Sequence, residues 1–196
     1  MIYLDNDTVE TFAEFDLLDF LCEALEVEHS PGEIFCLRTA RTRVARTIHD
    51  PAVRGRALGF MDRVGVPSED RSIPQIFEIQ RLGKMDAEAI LYACCIGDPG
   101  TWVVTGDLNS IRTLALNAPA NIFDALVGRV FSTEQCLLRI IELVGFETVE
   151  SRWEDSPCNH RFFAPLVELD EVDVRDAIHR RLDGLHPRMK ALIGWP

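Results

Sequence analysis

The first 37 residues contain no lysine or arginine, and no apolar run approaches the roughly 20 residues that a bilayer-spanning helix needs. No membrane partner is therefore expected. Met1 leads directly into an apolar strand instead of a basic segment with an apolar core, so no secretory signal is legible and a cytoplasmic location is expected. None of Cys22, Cys36, Cys94, Cys95, Cys136 and Cys158 forms a C-x-x-C pair, and most sit inside apolar segments, where a free thiol behaves as a small hydrophobe. His29, His49, His160, His179 and His186 have no metal-ligand spacing, which argues against zinc. There is also no internal repeat and no low-complexity segment.

With 196 residues, 47% of them hydrophobic and 27% charged, the chain has the composition of one globular domain, or of one domain with an appendage. A net charge of −12 opposes nucleic-acid binding in bulk. The basic residues, however, are concentrated: Arg38, Arg41, Arg43, Arg46, Arg54, Arg56, Arg63 and Arg71 all fall between residues 38 and 71. A basic arm beside an acidic pocket suits a phosphodiester substrate; the plainer reading is a solvated helix face.

The organising stretch runs from Lys84 to Asp107. Asp86 and Glu88 stand at a helix start, Asp98, Pro99 and Gly100 make a turn, and Trp102, Val103 and Val104 form a buried strand that stops at Thr105, Gly106 and Asp107. At the amino end Met1, Ile2, Tyr3 and Leu4 likewise form a strand, ending on Asp5, Asn6 and Asp7. An acid just past a parallel strand points into the crevice where open α/β sheets bind ligands. Carboxylates gathered there repel one another, and a hard oxygen-seeking cation such as Mg²⁺ or Mn²⁺ is their natural partner.

The remaining elements follow from periodicity. The pattern Phe12, Phe15, Leu18, Leu21, Cys22 and Leu25 predicts one amphipathic helix, capped by Thr8 and reaching about Glu28. Ile34 to Leu37 reads as a second strand, completing a β-α-β unit and implying a parallel sheet. A helix capped by Thr39 follows, then another from Pro51 to about Val64. Residues 69–83 carry a weak pattern, read as a short helix or strand. Ser110 to Leu116 is a helix, and a strand is expected near Val127 to Phe131. Ser132 with Gln135 makes a capping box that opens a helix ended by Gly145. The segment from Glu147 to Asn159 reads as polar, and an amphipathic helix is expected from Asp170.

Three segments in order, MIYLDNDTV, LGKMDAEAILYA and WVVTGDLNSIRTLA, resemble the PIN-domain family of metal-dependent nucleases over residues 1–145. The resemblance implies a three-layer α/β/α fold with a central parallel sheet, residues 146–196 forming a C-terminal extension packed on it. It implies Asp5, Asp86 and Asp107 as catalytic metal ligands for Mg²⁺ or Mn²⁺, with Glu88 replacing or joining Asp86. Asp7 and Asn109 stand close behind these in sequence, and Arg41, Arg43 and Arg46 are candidates for binding substrate. The activity implied is hydrolysis of phosphodiester bonds in single-stranded RNA, with a toxin-type member among the forms allowed, and a protein partner or homodimer is compatible. One departure stands out. The family places a Glu early in the helix after the second strand, where TARTRVARTI has Arg43, and Glu33 is the nearest acid on the wrong side of the strand.

Two other readings remain. A site neutralised by Arg43 would make the protein a PIN-like binding or scaffold module. Asp5, Asn6, Asp7, Thr8 and Val9 also resemble the opening of haloacid-dehalogenase-like phosphatases, with Asp5 as nucleophile and Asp7 as acid/base; Lys84 precedes a helix, however, and Asp124 lies too far beyond Asp107 for the usual acid pair. Taken singly, Asp5 reads equally as an acid at a helix start, Asp86 as a helix cap and Asp107 as a turn residue.

Overall fold

The computed structural model describes residues 1–29, 34–66, 73–83, 85, 87–153 and 160–195. In chain order the elements begin with β1 (Ile2–Leu4), α1 (Asn6–Glu14), α2 (Leu18–His29), β2 (Ile34–Cys36), α3 (Arg38–Thr47), α4 (Pro51–Met61), α5 (Ile73–Gln80) and α6 (Ala87–Gly97). They continue with β3 (Trp102–Thr105), α7 (Leu108–Asn117), α8 (Ala120–Leu126), β4 (Val130–Ser132), α9 (Thr133–Val144) and α10 (Phe146–Trp153). A 3₁₀ turn at Ala164–Glu168 then leads to α11 (Glu171–Asp183) and α12 (Pro187–Ile193).

The strands form one sheet in the order β2-β1-β3-β4, and every pairing is parallel. Helices cover both faces, giving the three-layer α/β/α architecture. A parallel sheet covered on both faces has strands apolar on both sides, and Ile2, Leu4, Val103, Val104 and Val130 are all buried. The register pairs Leu4 with Val104 and Thr105 with Ser132, so Asp5, Asp107 and Thr133 emerge along one edge. From β1 the chain moves outward to β2, then returns to the other side of β1 for β3. The gap between β1 and β3 is therefore the point where strand order reverses, the usual ligand crevice of such sheets.

Several local expectations are corrected. The helix predicted across residues 8–28 is two helices, because Asp16 takes a left-handed conformation (φ 56°) and breaks the backbone ladder. The apolar period survives the break, since Phe15, Leu17 and Leu18 all remain buried, which is why sequence periodicity runs through it. Arg56 Nε donates to the carbonyl of Ala13 at 2.8 Å, and Arg56 and Arg152 both pair with the Asp16 carboxylate. The cap of α1 is Asp5 rather than Thr8, and α3 starts after Leu37 with no side-chain cap, so Thr39 lies inside it. Asp50 caps α4, which ends at Met61. Residues 127–129 lead into β4 instead of belonging to it, and α8, α10 and α12 were not expected.

The weak segment 69–83 contains α5, and residues 67–72 lie outside the described residues. The capping box of Ser132 and Gln135 is present as expected, and the helix expected from Asp170 is α11, with Asp170 as its cap. Cys22, Cys36, Cys94, Cys95 and Cys136 are in no disulfide, and Cys158 lies outside the described residues. Among those residues no helix is long and apolar enough to cross a membrane.

Candidate functional site

Asp5 is delivered to the sheet edge by one further backbone bond beyond β1, its N–H donating to Val104 O at 2.9 Å. Its side chain is 1% exposed. One carboxylate oxygen accepts from the Asn6 N–H at 2.6 Å and the other from the Thr105 hydroxyl at 2.9 Å. Burial pushes the Asp5 carboxyl up to about 7; the negative charges of Asp7 and Glu88 add to this, and the bonds from Thr105 and Asn6 oppose it.

Thr105 ties Asp5 to Asp107. Its oxygen accepts the Asp107 N–H at 3.1 Å while its hydroxyl donates to Asp5. The Asp107 carboxylate caps α7 by accepting the Asn109 N–H at 2.8 Å, and its carbonyl accepts the Ser110 hydroxyl at 2.8 Å. Ser110 in turn bonds the phenol of Tyr92 at 2.9 Å. Tyr92 is fully buried on α6, one turn after Glu88; burial raises its pKa first, and Asp5, Asp107 and Glu88 add to the rise. Asp5, Thr105, Asp107, Ser110 and Tyr92 thus form one polar chain across β1, β3, α7 and α6, and the field of Glu88 reaches both of its ends.

Of the residues singled out from sequence, Asp5, Glu88 and Asp107 are brought together in this way. Asp86 lies outside the described residues, as do Lys84 and Glu33. Asn109 contributes its backbone N–H, and its side chain is exposed. The plainer readings of Asp5 and Asp107 are realised too, since each caps a helix, a role compatible with using its remaining lone pairs elsewhere.

Arg43 turns toward α1 and does not point away with its neighbours. It donates to Asp7 at 2.7 Å and lies 3.5 Å from Glu10, whose carboxylate also accepts from Thr47 at 3.1 Å. Burial raises the Glu10 pKa, with Asp7 and Glu14 adding to the rise and Arg43 and Thr47 opposing it. Arg43 thereby offsets the charges at the rim and leaves Asp5 without a cationic partner among the described residues. Arg41 pairs with Asp62, and Arg46 is exposed on the same helix.

The turn between β3 and α7 is packed closely. A Cβ at Gly106 would meet Thr133 Oγ1 at 2.9 Å and the Cβ of Asp7 at 3.5 Å, so glycine lets α9 and α1 close on it. Among the described residues Thr133 Oγ1, Asn6 Oδ1, Thr8 Oγ1 and Glu134 Oε2 are buried side-chain oxygens with no hydrogen-bond partner. Glu134 is buried beside Thr133, and its other oxygen accepts Arg181 Nε at 2.6 Å. Sequence reading missed Thr133, Glu134, Tyr92 and Ser110. A signal existed for Tyr92, placed i+4 from Glu88, and for the acid and hydroxyl directly following β4.

Among the described residues no three His, Cys, Asp or Glu side chains are arranged to hold a metal ion. The donor chemistry itself suits a hard cation: Asp5, Glu88 and Asp107 offer carboxylate oxygens, and Asp5 carries the electrostatic strain that a cation relieves. No family model matches the chain, and neither the curated proteins nor the solved structures contain a match.

Proposed function

We propose that the protein is a PIN-like, metal-dependent ribonuclease that hydrolyses phosphodiester bonds in single-stranded RNA in the cytoplasm. The observation that carries this reading is the pairing of Asp5 and Asp107 through Thr105 at the β1/β3 crevice, with Glu88 acting on the same group of residues. Asp5, Glu88 and Asp107 are the residues that would hold Mg²⁺ or Mn²⁺, together with Asp86. Such an ion supplies an acidified water and offsets charge at the leaving oxygen. The chain itself contributes orientation: Asn6 and Thr105 fix both Asp5 oxygens, Asn109 fixes Asp107, and Tyr92 with Ser110 holds the α6 and α7 sides together. Unpaired RNA suits a compact crevice because its backbone can be drawn in without melting a duplex.

The test is cleavage of a panel of single-stranded RNAs with Mn²⁺, with and without a chelator, by the wild type and by Asp107→Asn. Asparagine caps helices as well as aspartate does, so the variant is expected to fold normally and to lose cleavage along with the carboxylate. Cleavage that survives both chelation and Asp107→Asn overturns the assignment.

A second reading, that of a catalytically silent scaffold, draws on the Arg43 pairs with Asp7 and Glu10. The two readings differ in one titration. Mn²⁺ at about 100 times its Kd stabilises a true site by about 2.7 kcal/mol through mass action, visible as a rise in melting temperature. A silent site leaves the melting temperature unmoved, and Arg43→Glu, which frees Asp7 and Glu10, is then expected to create a shift. No shift in either protein removes the metal from the proposal.

A further inference from the structure

Beside the candidate site runs a groove of about 490 Å³, walled by one face of α7 and by the turn joining α11 to α12. It starts at Leu108 and Asn109, immediately after the Asp107 cap, and continues along Arg112 and Leu116 opposite Leu185, His186 and Met189. The volume falls in the range of sites that enclose a small ligand, about 300 to 1,000 Å³. Its floor is apolar, with Leu116 45% exposed, and its charge comes from a single side chain. Arg112 is exposed and makes no hydrogen bond or ion pair among the described residues. In a chain of net charge −12 its guanidinium is thus left available to an anionic ligand. His186 caps α12 by accepting the Arg188 N–H on Nδ1 at 3.2 Å, so the neutral ring carries its proton on Nε2, away from the helix.

We infer that this groove binds a nucleotide beyond the two joined by the scissile phosphate of a single-stranded RNA, an inference that rests on the ribonuclease reading above. Arg112 takes the backbone phosphate, Leu116, Leu185 and Met189 form the surface under the base, and Nε2–H of His186 donates to a base or sugar oxygen. Charge for the backbone beside an apolar surface for the base is the plan by which proteins hold single strands, with aliphatic side chains here in the place that aromatic rings more often take. The groove opens at Asn109, two residues from Asp107, so a strand cleaved at the acids has this channel as its continuation. A helical peptide would find a single cation and no complementary acid, which favours the nucleic acid.

The experiment compares the wild-type chain, Arg112→Glu and Leu116→Glu on two Mn²⁺-dependent substrates, a dinucleotide and a single-stranded 10-mer RNA. All three proteins are first checked for equal melting temperatures, which the exposure of both positions leads one to expect. For the 10-mer, KM is expected to rise about tenfold or more in both variants with kcat unchanged, and the salt slope of binding to fall by about one in Arg112→Glu. For the dinucleotide, the variants are expected to match the wild type. If the wild type cleaves the 10-mer and both variants keep its KM and salt slope, the groove is not the strand path, while the ribonuclease reading stands. If the wild type neither binds nor cleaves the 10-mer, the ribonuclease reading falls and this inference with it. If instead the wild type self-associates and Leu116→Glu abolishes that without altering KM, the groove is a protein interface and the inference is overturned.

Discussion

Raising the pH from 4 to 8 in the absence of divalent ions is expected to cost the protein up to about 4 kcal/mol of stability through Asp5 alone. The sign follows from the direction of the shift. In the unfolded chain this carboxyl releases its proton near 3.9, whereas in the folded protein burial and the charges of Asp7 and Glu88 hold it to about 7. Between those values the folded state binds more protons, so stability falls as pH rises, and the penalty is complete once the folded group has also ionised. Below about pH 4 both states are protonated and the contribution vanishes. Other carboxylates add their own slopes, which Asp5→Asn leaves in place. Urea unfolding in EDTA at pH 5 and pH 8 should therefore show the wild type losing far more stability than Asp5→Asn over that interval. Parallel pH profiles for the two proteins would remove both the perturbed carboxyl and the case for a cation that relieves it.

Truncating Trp153 to alanine is expected to cost about 3 to 5 kcal/mol. The indole is buried and lies 5.2 Å, centroid to centroid, from Phe15 and 6.1 Å from Phe146, edge to face in the second case. Phe15 also meets Phe163 edge-on at 5.9 Å. Residues from α10 and from the segment before α11 thus close over the junction of α1 and α2, next to the bend at Asp16. Removing the ring leaves a cavity among side chains of that cluster, which cannot collapse freely because they belong to separate helices. Among the described residues the indole N–H has no hydrogen-bond partner, so Trp153→Phe discards an unpaired donor along with some surface and is expected to cost markedly less. Phe15→Ala combined with Trp153→Ala should cost less than the sum of the two, because the rings touch. Denaturant midpoints at constant m-value measure all three quantities, and a loss under 1 kcal/mol for Trp153→Ala would contradict the packing described.

How much of this was legible depended on whether the signal was local. Ile2 to Leu4 and Trp102 to Thr105 declare themselves as strands, and an acid placed just after each could be assigned to the sheet edge from parallel topology alone. Ser132 with Gln135 was readable as a capping box because both partners lie within one turn. The break at Asp16 was hidden because the apolar spacing continues across it and the compensating bonds come from Arg56 and Arg152, 40 and 136 residues further along. The helix α10 was overlooked although Phe146, Val149 and Trp153 form a stripe at helical spacing, since the polar residues between them dominate the composition. At the site, the acids were recognisable one at a time. The chain of hydroxyls joining them through Thr105, Ser110 and Tyr92 depends on side chains up to 100 residues apart, and so does the turn of Arg43 toward Asp7 and Glu10. No spacing rule encodes such pairs.

The capping duty of Asp5 and Asp107 bears on how this molecule could change over generations. Each carboxylate closes the amino end of a helix, a contribution of about 1 kcal/mol that selection on folding alone would preserve. A lineage that stopped needing the reaction would keep Asp107, which caps at no cost in buried charge, and would exchange the buried Asp5 for asparagine or serine, which cap without the charge. Glu88 lies within the first turn of α6 instead of at its cap, where many residues serve nearly as well. Its drift and the loss of the Asp5 charge, and not the persistence of Asp107, would be the record of a lost activity among descendants of this chain.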